Sequence, residues 1–235
     1  MIPIRDDTPR FSTPWVNYTI IALNSLVFLY EATLPPRALL SLMKVFGVVP
    51  AVWTLWLHGQ APAVAAILPV FTSMFLHGSW LHLIGNMWFL WIFGDNIEDH
   101  LGHGLYIVFY LIAGIAAALL QILFSMGSTV PSIGASGAIA GVLGAYFVLF
   151  PGGRVLTLVP FFFVYFMWLP AWVMLGYWFI VQFLGGAATS ITYSQQSGGG
   201  QGGIAFWAHV GGFIAGVLMI KALPRKPRRY RYSAW

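Results

Sequence analysis

The sequence predicts an all-α membrane protein, a six-transmembrane-helix bundle with both termini cytoplasmic, and three observations carry that expectation. Of 235 residues, 59% are hydrophobic and only 7% are charged. Soluble domains carry roughly a quarter charged residues, so most of this surface has to face lipid. Six apolar stretches, near 15–34, 80–100, 105–126, 135–151, 167–186 and 204–223, approach the length of about 20 residues at which a helix crosses the hydrocarbon core. The basic residues then fit an even number of spans. Arg5, Arg10, Arg154, Lys221, Arg225, Lys226, Arg228, Arg229 and Arg231 fall on one side, and only Arg37 and Lys44 on the other. That is the asymmetry the positive-inside rule requires.

Around these spans the chain divides simply. Residues 1–14, with Pro3, Pro9 and Pro14, read as a polar N-terminal cytoplasmic tail. Residues 15–223 form the six-span domain. Within it, residues 35–79 are a long first loop so apolar, with a helical run at 37–46 and Trp53 and Trp56, that it is expected to lie in the membrane interface. Residues 187–203, ending Ser-Gly-Gly-Gly-Gln-Gly-Gly, read as a Gly-rich connection between the fifth and sixth spans. Residues 224–235 are a basic cytoplasmic tail, read as an anchor facing anionic lipid rather than as a nucleic-acid arm. The short tails suit a bacterial inner membrane.

Several chemistries are excluded. With no cysteine there is no thiol nucleophile, disulfide framework or thiolate metal site. His77, His82 and His209 are the histidines a metal site could use. No HExxH motif or intramembrane carboxylate accompanies them, so neither a metal nor any other cofactor is expected. A transporter would want repeated halves or ionisable groups near the midplane, and neither is evident.

The polar residues inside the spans carry the remaining information. His82 and Asn86 are four apart near the start of the second span and share one helix face. A helix–helix hydrogen bond and a chemical role both explain such a pair. Ser136, in Gly134-Ala135-Ser136-Gly137, opens a fourth span of about fifteen residues. At 1.5 Å per residue that is roughly 22 Å, short of the ~30 Å core, so Ser136 starts below the outer surface. Gly137, Ala140, Gly141 and Gly144 make a small-residue stripe along this span. The sixth span repeats the device in Ala208-His209-Val210-Gly211-Gly212, with Gly216 one turn on. Two glycine-faced helices carrying a serine and a histidine at matching depth can bring a hydroxyl and an imidazole within hydrogen-bond reach.

Taken together, His77-Gly-Ser-Trp-Leu-His82-Leu-Ile-Gly-Asn86, Gly134-Ala-Ser136-Gly137 and Ala208-His209-Val-Gly-Gly212 resemble the rhomboid family of intramembrane serine proteases. The resemblance covers roughly residues 15–223. It implies Ser136 as nucleophile and His209 as general base. His82, Asn86 and the Ser136 backbone N–H would then stabilise the oxyanion, with His77 in a structural role near the site. Gly134, Gly137 and Gly212 belong to the same motifs, and Glu98 matches a family position at the cytoplasmic end of the second span. Two departures stand out. Leu68-Pro69 replaces a Trp-Arg pair of the first loop. Ala140 replaces a tyrosine that would pack on the histidine, leaving open which aromatic supports that ring.

A Ser-His dyad is expected, because Asp95, Glu98 and Asp99 lie about 20 Å down the second span from His82. Glu31, the only carboxylate near the outer end, is not counted as a third member. The implied activity is endopeptidase cleavage of transmembrane segments of other membrane proteins near their outer ends, with the Gly-rich loop as a cap over the site. The aromatic fifth span (Trp172, Tyr177, Trp178, Phe179, Phe183) reads as a lipid-facing helix or as the border of a lateral opening. A rhomboid-like protein that binds helices without cutting them is the rival reading. Expected partners are transmembrane substrates and membrane lipid, with no nucleic acid; oligomeric state is left open.

Overall fold

A computed structural model describes residues 1–161, 163–195 and 205–223. In chain order it contains β1 (Ile2–Asp6), α1 (Trp15–Glu31), α2 (Pro36–Phe46), α3 (Pro50–Leu57), α4 (Ala63–Thr72) with a 3-10 turn at Ser73–Phe75, and α5 (Trp80–Leu101). There follow α6 (His103–Phe124), α7 (Ser136–Leu149), β2 (Arg154–Phe161), β3 (Phe163–Pro170), α8 (Ala171–Gln195) and α9 (Phe206–Ala222). The chain is mostly helical, and α1, α5, α6, α7, α8 and α9 occupy the six apolar stretches. By length and apolarity His103–Phe124 and Ala171–Ser190 are each able to cross a bilayer. A third crossing is counted if Ala63–Phe75 and Trp80–Leu101, bent by 77°, act as one broken span. Helices α7 and α9, with 14 and 17 residues, are shorter apolar segments.

Local signals explain the boundaries. Pro36 and Pro50 open α2 and α3 at a position where a missing N–H is harmless. The Ser79 hydroxyl caps α5 by accepting the His82 N–H at 3.2 Å. Pro151-Gly152-Gly153 follows directly on the end of α7.

Helix α7 is the axis of the molecule, and every residue from Gly137 to Tyr146 is buried. Its glycine stripe removes the side chains that would hold its neighbours away. The backbone of Gly212 rests on the Gly137 carbonyl, and that of Gly216 on the Gly141 carbonyl. Gly144 meets the backbone of Phe213 and Val217, while Ala113 and Ala117 of α6 press on Gly141 and Gly137. The pairs 137–212 and 141–216 advance together, so α7 and α9 run parallel. The ends of the chain follow from this. Asp6 Oδ2 accepts from the Tyr146 hydroxyl at 2.6 Å, which places β1 beside the C-terminal end of α7. The C-terminal end of α9 lies at that same end.

Three expectations need correction. The fold is not wholly α: an antiparallel sheet of order β1-β2-β3 closes the end where α7 stops. In it Ile2 pairs with Leu158 and Asp6 with Val155, and β2 pairs with β3 from Arg154↔Pro170 to Pro160↔Val164. Val155 and Thr157 are buried, which anchors a strand between the fourth and fifth apolar stretches. The N-terminal segment is likewise part of the fold rather than a free tail. The Gly-rich connection is shortened, because residues 187–195 continue α8. Its remainder, 196–203, and the basic tail 224–235 lie outside the described residues.

Candidate active site

Ser136 is the first residue of α7, where the backbone N–H groups of the opening turn have no intrahelical acceptor and the helix dipole is positive. His209 is the fourth residue of α9. Because Gly212 sits on the Gly137 carbonyl, the turn holding His209 is carried against the start of α7. The imidazole Nε2 lies 2.8 Å from Ser136 Oγ, and both residues are partly exposed. Gln121 of α6 steadies this end of α9, its Oε1 accepting the Ala208 N–H at 3.1 Å.

His209 has two further neighbours, both on α8. Gln182 Oε1 is 2.7 Å from Nδ1, and the Trp178 ring is centred 5.7 Å from the imidazole at 37°. Trp178 thus stands against the imidazole, where Ala140 offers no ring. Neither residue emerged as a site residue from the sequence. The available signal was a lone glutamine in an apolar span, four residues after a tryptophan and therefore on the same helix face.

His82 and Asn86 line the turn that leads into α7. Gly134 takes φ +122°, and a side chain there would run into the His82 ring, with Asn86 Nδ2 just beyond it. The Gly134 N–H donates to the Ser73 carbonyl at 2.8 Å, which fixes the turn. The Gly78 N–H points at His82 Nδ1, 3.4 Å away. Asn86 Nδ2 is 3.0 Å from His77 Nε2, and the His77 and His82 rings stand edge to face at 5.1 Å. His77 is fully buried and backs Asn86. Glu31 lies behind them, its carboxylate accepting the His77 N–H at 3.1 Å. Glu98 is at the far end of α5, where it accepts the N–H groups of Val16 and Asn17 at 2.9 and 2.7 Å and so caps α1. Ser73, Ser132, Gly134 and Ser136 are among the residues lining a cavity of about 30 Å³, room for a water molecule or two. Among the described residues, no three of His, Asp and Glu gather as a metal-binding group.

Comparison with known proteins bears directly on this arrangement. The family model of the Rhomboid domain matches residues 64–226, well over half of the chain. The chain belongs to the rhomboid family. It is 30% identical over 223 residues to Rhomboid protein 1, mitochondrial, of Saccharomyces cerevisiae, an alignment covering 88% of this chain and 60% of the yeast protein. It is 38% identical over 88 residues to the human Presenilin-associated rhomboid-like protein, mitochondrial, covering 37% of this chain and 23% of that protein. RHOMBOID-like protein 6, mitochondrial, of Arabidopsis thaliana is 40% identical over 74 residues, covering 32% of this chain and 24% of the plant protein. The matched part of this rhomboid chain therefore spans 60% of the yeast relative and about a quarter of the other two.

These relatives correct the expected location. The matched proteins are named as mitochondrial in yeast, animals and plants, which overturns the expectation of a bacterial inner membrane. Apolar composition and basic-residue asymmetry answer to any bilayer of this thickness, so they did not distinguish the two.

Proposed function

We propose that this rhomboid is an intramembrane serine endopeptidase acting on transmembrane segments of other membrane proteins in a mitochondrial membrane. The observation that carries the reading is the 2.8 Å approach of His209 Nε2 to Ser136 Oγ at the start of a buried helix. In the proposed reaction Ser136 Oγ attacks the scissile carbonyl carbon and its proton passes to His209 Nε2. The negative oxygen is met by the Ser136 backbone N–H, His82 and Asn86. The C–N bond then breaks, the leaving amine takes the proton from Nε2, and water hydrolyses the acyl-enzyme by the same route in reverse.

We further propose six membrane crossings formed by α1, α5, α6, α7, α8 and α9, with both termini on the face that carries the basic residues. The parallel run of α7 and α9 and the seat of β1 at their C-terminal end support that sidedness. On this reading residues 1–14 and 224–235 flank the catalytic domain, 35–79 packs at the membrane surface, and 196–203 joins the α8 and α9 ends nearest Ser136. A substrate helix has to unwind to present a carbonyl at Ser136, so residues that loosen helices favour cleavage.

The test uses the chain in liposomes with a fluorophosphonate probe and a panel of single-span reporters. Labelling and cleavage are expected in the wild type and in neither Ser136→Ala nor His209→Ala. Equal cleavage by Ser136→Ala would remove the reading. Reporter binding without labelling or cleavage would favour the non-catalytic alternative.

A further inference from the structure

We propose that Gln182 is the positioning residue of His209, holding the imidazole in the one tautomer that can accept a proton from Ser136; this rests on the protease reading above. An amide oxygen can only accept a hydrogen bond. Gln182 Oε1 lies 2.7 Å from His209 Nδ1 and has no hydrogen to give. The hydrogen of that bond therefore belongs to Nδ1. A neutral imidazole carries one ring hydrogen, so Nε2 is left with its lone pair, and it is Nε2 that faces Ser136 Oγ at 2.8 Å. Were the amide turned over, its NH2 would donate to Nδ1, the ring hydrogen would sit on Nε2, and the serine proton would have nowhere to go.

The bond also matters after the proton moves. As Nε2 takes the proton the ring becomes a cation, and the Nδ1–H···O bond becomes charge-assisted and stronger. Gln182 thus fills the orienting position with a neutral acceptor. Trp178, one turn before Gln182 on the same face of α8, packs against the imidazole and limits its rotation. The two contacts together tie the state of the base to the seating of α8.

The test compares Gln182→Met, similar in shape but without the acceptor, with Gln182→Glu, which keeps one. Fluorophosphonate labelling and reporter kinetics are followed in liposomes beside Ser136→Ala. Gln182→Met is expected to label about 10- to 100-fold more slowly, the scale of a lost hydrogen bond to a charged group, with KM unchanged. Gln182→Glu is expected to return the rate to within about threefold, because the acceptor is restored. In protein carrying 15N-histidine, the wild-type His209 ring should show a protonated Nδ1 and a bare Nε2, and Gln182→Met a mixture. Wild-type labelling speed in Gln182→Met, or a wild-type ring protonated at Nε2, overturns the proposal even where Ser136→Ala is inert. Should Gln182→Met fail to fold, the wild-type ring spectrum decides alone. Absence of labelling in the wild type sinks the protease reading instead.

Discussion

Replacing Gly212 with alanine should unseat the proposed catalytic pair, Ser136 and His209, without altering either member. Gly212 lies one turn beyond His209, and its α-carbon rests on the backbone carbonyl of Gly137, the residue after Ser136. A methyl group at position 212 falls on that oxygen and also comes within 3.3 Å of the Ala140 methyl. A backbone carbonyl inside a buried helix cannot swing aside as a side-chain tip can, so α9 has to part from α7 by roughly 1 Å or more to regain ordinary contact. Added to a 2.8 Å separation, that takes His209 Nε2 to about 4 Å from Ser136 Oγ, beyond the ~3.2 Å reach of a working base. Misplacement on this scale costs about 100-fold in rate, or roughly 2.7 kcal/mol of barrier. Overpacking should destabilise the fold by about 1–3 kcal/mol. The assay is the fluorophosphonate labelling rate in liposomes, read beside thermal unfolding in detergent. Gly104→Ala is the control, since a methyl there meets nothing within 4 Å. A Gly212→Ala protein that labels at the wild-type rate would refute the reasoning, because the close approach of α7 and α9 would then not be what holds the pair together.

Three further outcomes follow from other contacts. Asn86→Ala should lower kcat by about 10²–10³-fold with little change in KM, the usual loss on deleting one oxyanion donor; an equal loss in KM would point to substrate binding instead. Trp178→Ala should slow labelling by about two- to tenfold and Trp178→Phe much less, because the contact is the face of a ring. Asp6 governs a pH effect at the opposite end of the molecule. Burial raises its carboxyl from 3.8 to about 6, opposed by hydrogen bonds from Tyr146 and Thr8. A raised folded-state value means its contribution to stability is complete below pH 3.8 and is lost as pH rises through about 6. The unfolding temperature should therefore fall more between pH 4.5 and 7.5 in the wild type than in Asp6→Asn, and identical slopes would refute the assignment.

Where the sequence was legible, the physics was one of spacing. Ser136 and His209 could be matched because glycines four apart fix how closely two helices approach, and close approach fixes which residues stand level. The helices themselves were legible from continuous apolar runs. The sheet was not. β3 reads Phe-Val-Tyr-Phe-Met-Trp-Leu-Pro, without the alternation that marks a half-buried strand, because Val164, Tyr165, Phe166, Met167 and Trp168 are all exposed. Such a run merges with the helix after it, and the fifth span was accordingly begun inside the strand. The opposite error arose at the far end of α8. The fifth span was ended at Gly185 and Gly186, each of which costs a helix about 1 kcal/mol, although the helix runs on to Gln195. In the structure they make room for the Phe206 and Trp207 rings of α9, and Trp207 Nε1 donates to Ser190 Oγ at 2.9 Å, so tertiary contact overrides the local preference.

The neighbours of the His209 ring were hidden for a related reason. Along α8 the side chains of Tyr177, Ile180, Val181, Phe183 and Leu184 are exposed, as on a helix turned toward lipid. Trp178 and Gln182, on the inner face, instead touch His209. One face of this helix is therefore exposed and the other packs on His209. That division has a mechanical consequence. The serine and histidine are carried by α7 and α9, whose backbones are in direct contact through glycine, and neither helix can shift alone without collision. Helix α8 meets them through longer side chains, which tolerate displacement far better than backbone on backbone. A disturbance on the α8 side should therefore reach the Gln182 bond before it reaches the 2.8 Å contact between Ser136 and His209. The orientation of the His209 ring is the part of the site most exposed to change from the α8 side, while the position of Ser136 is the most protected.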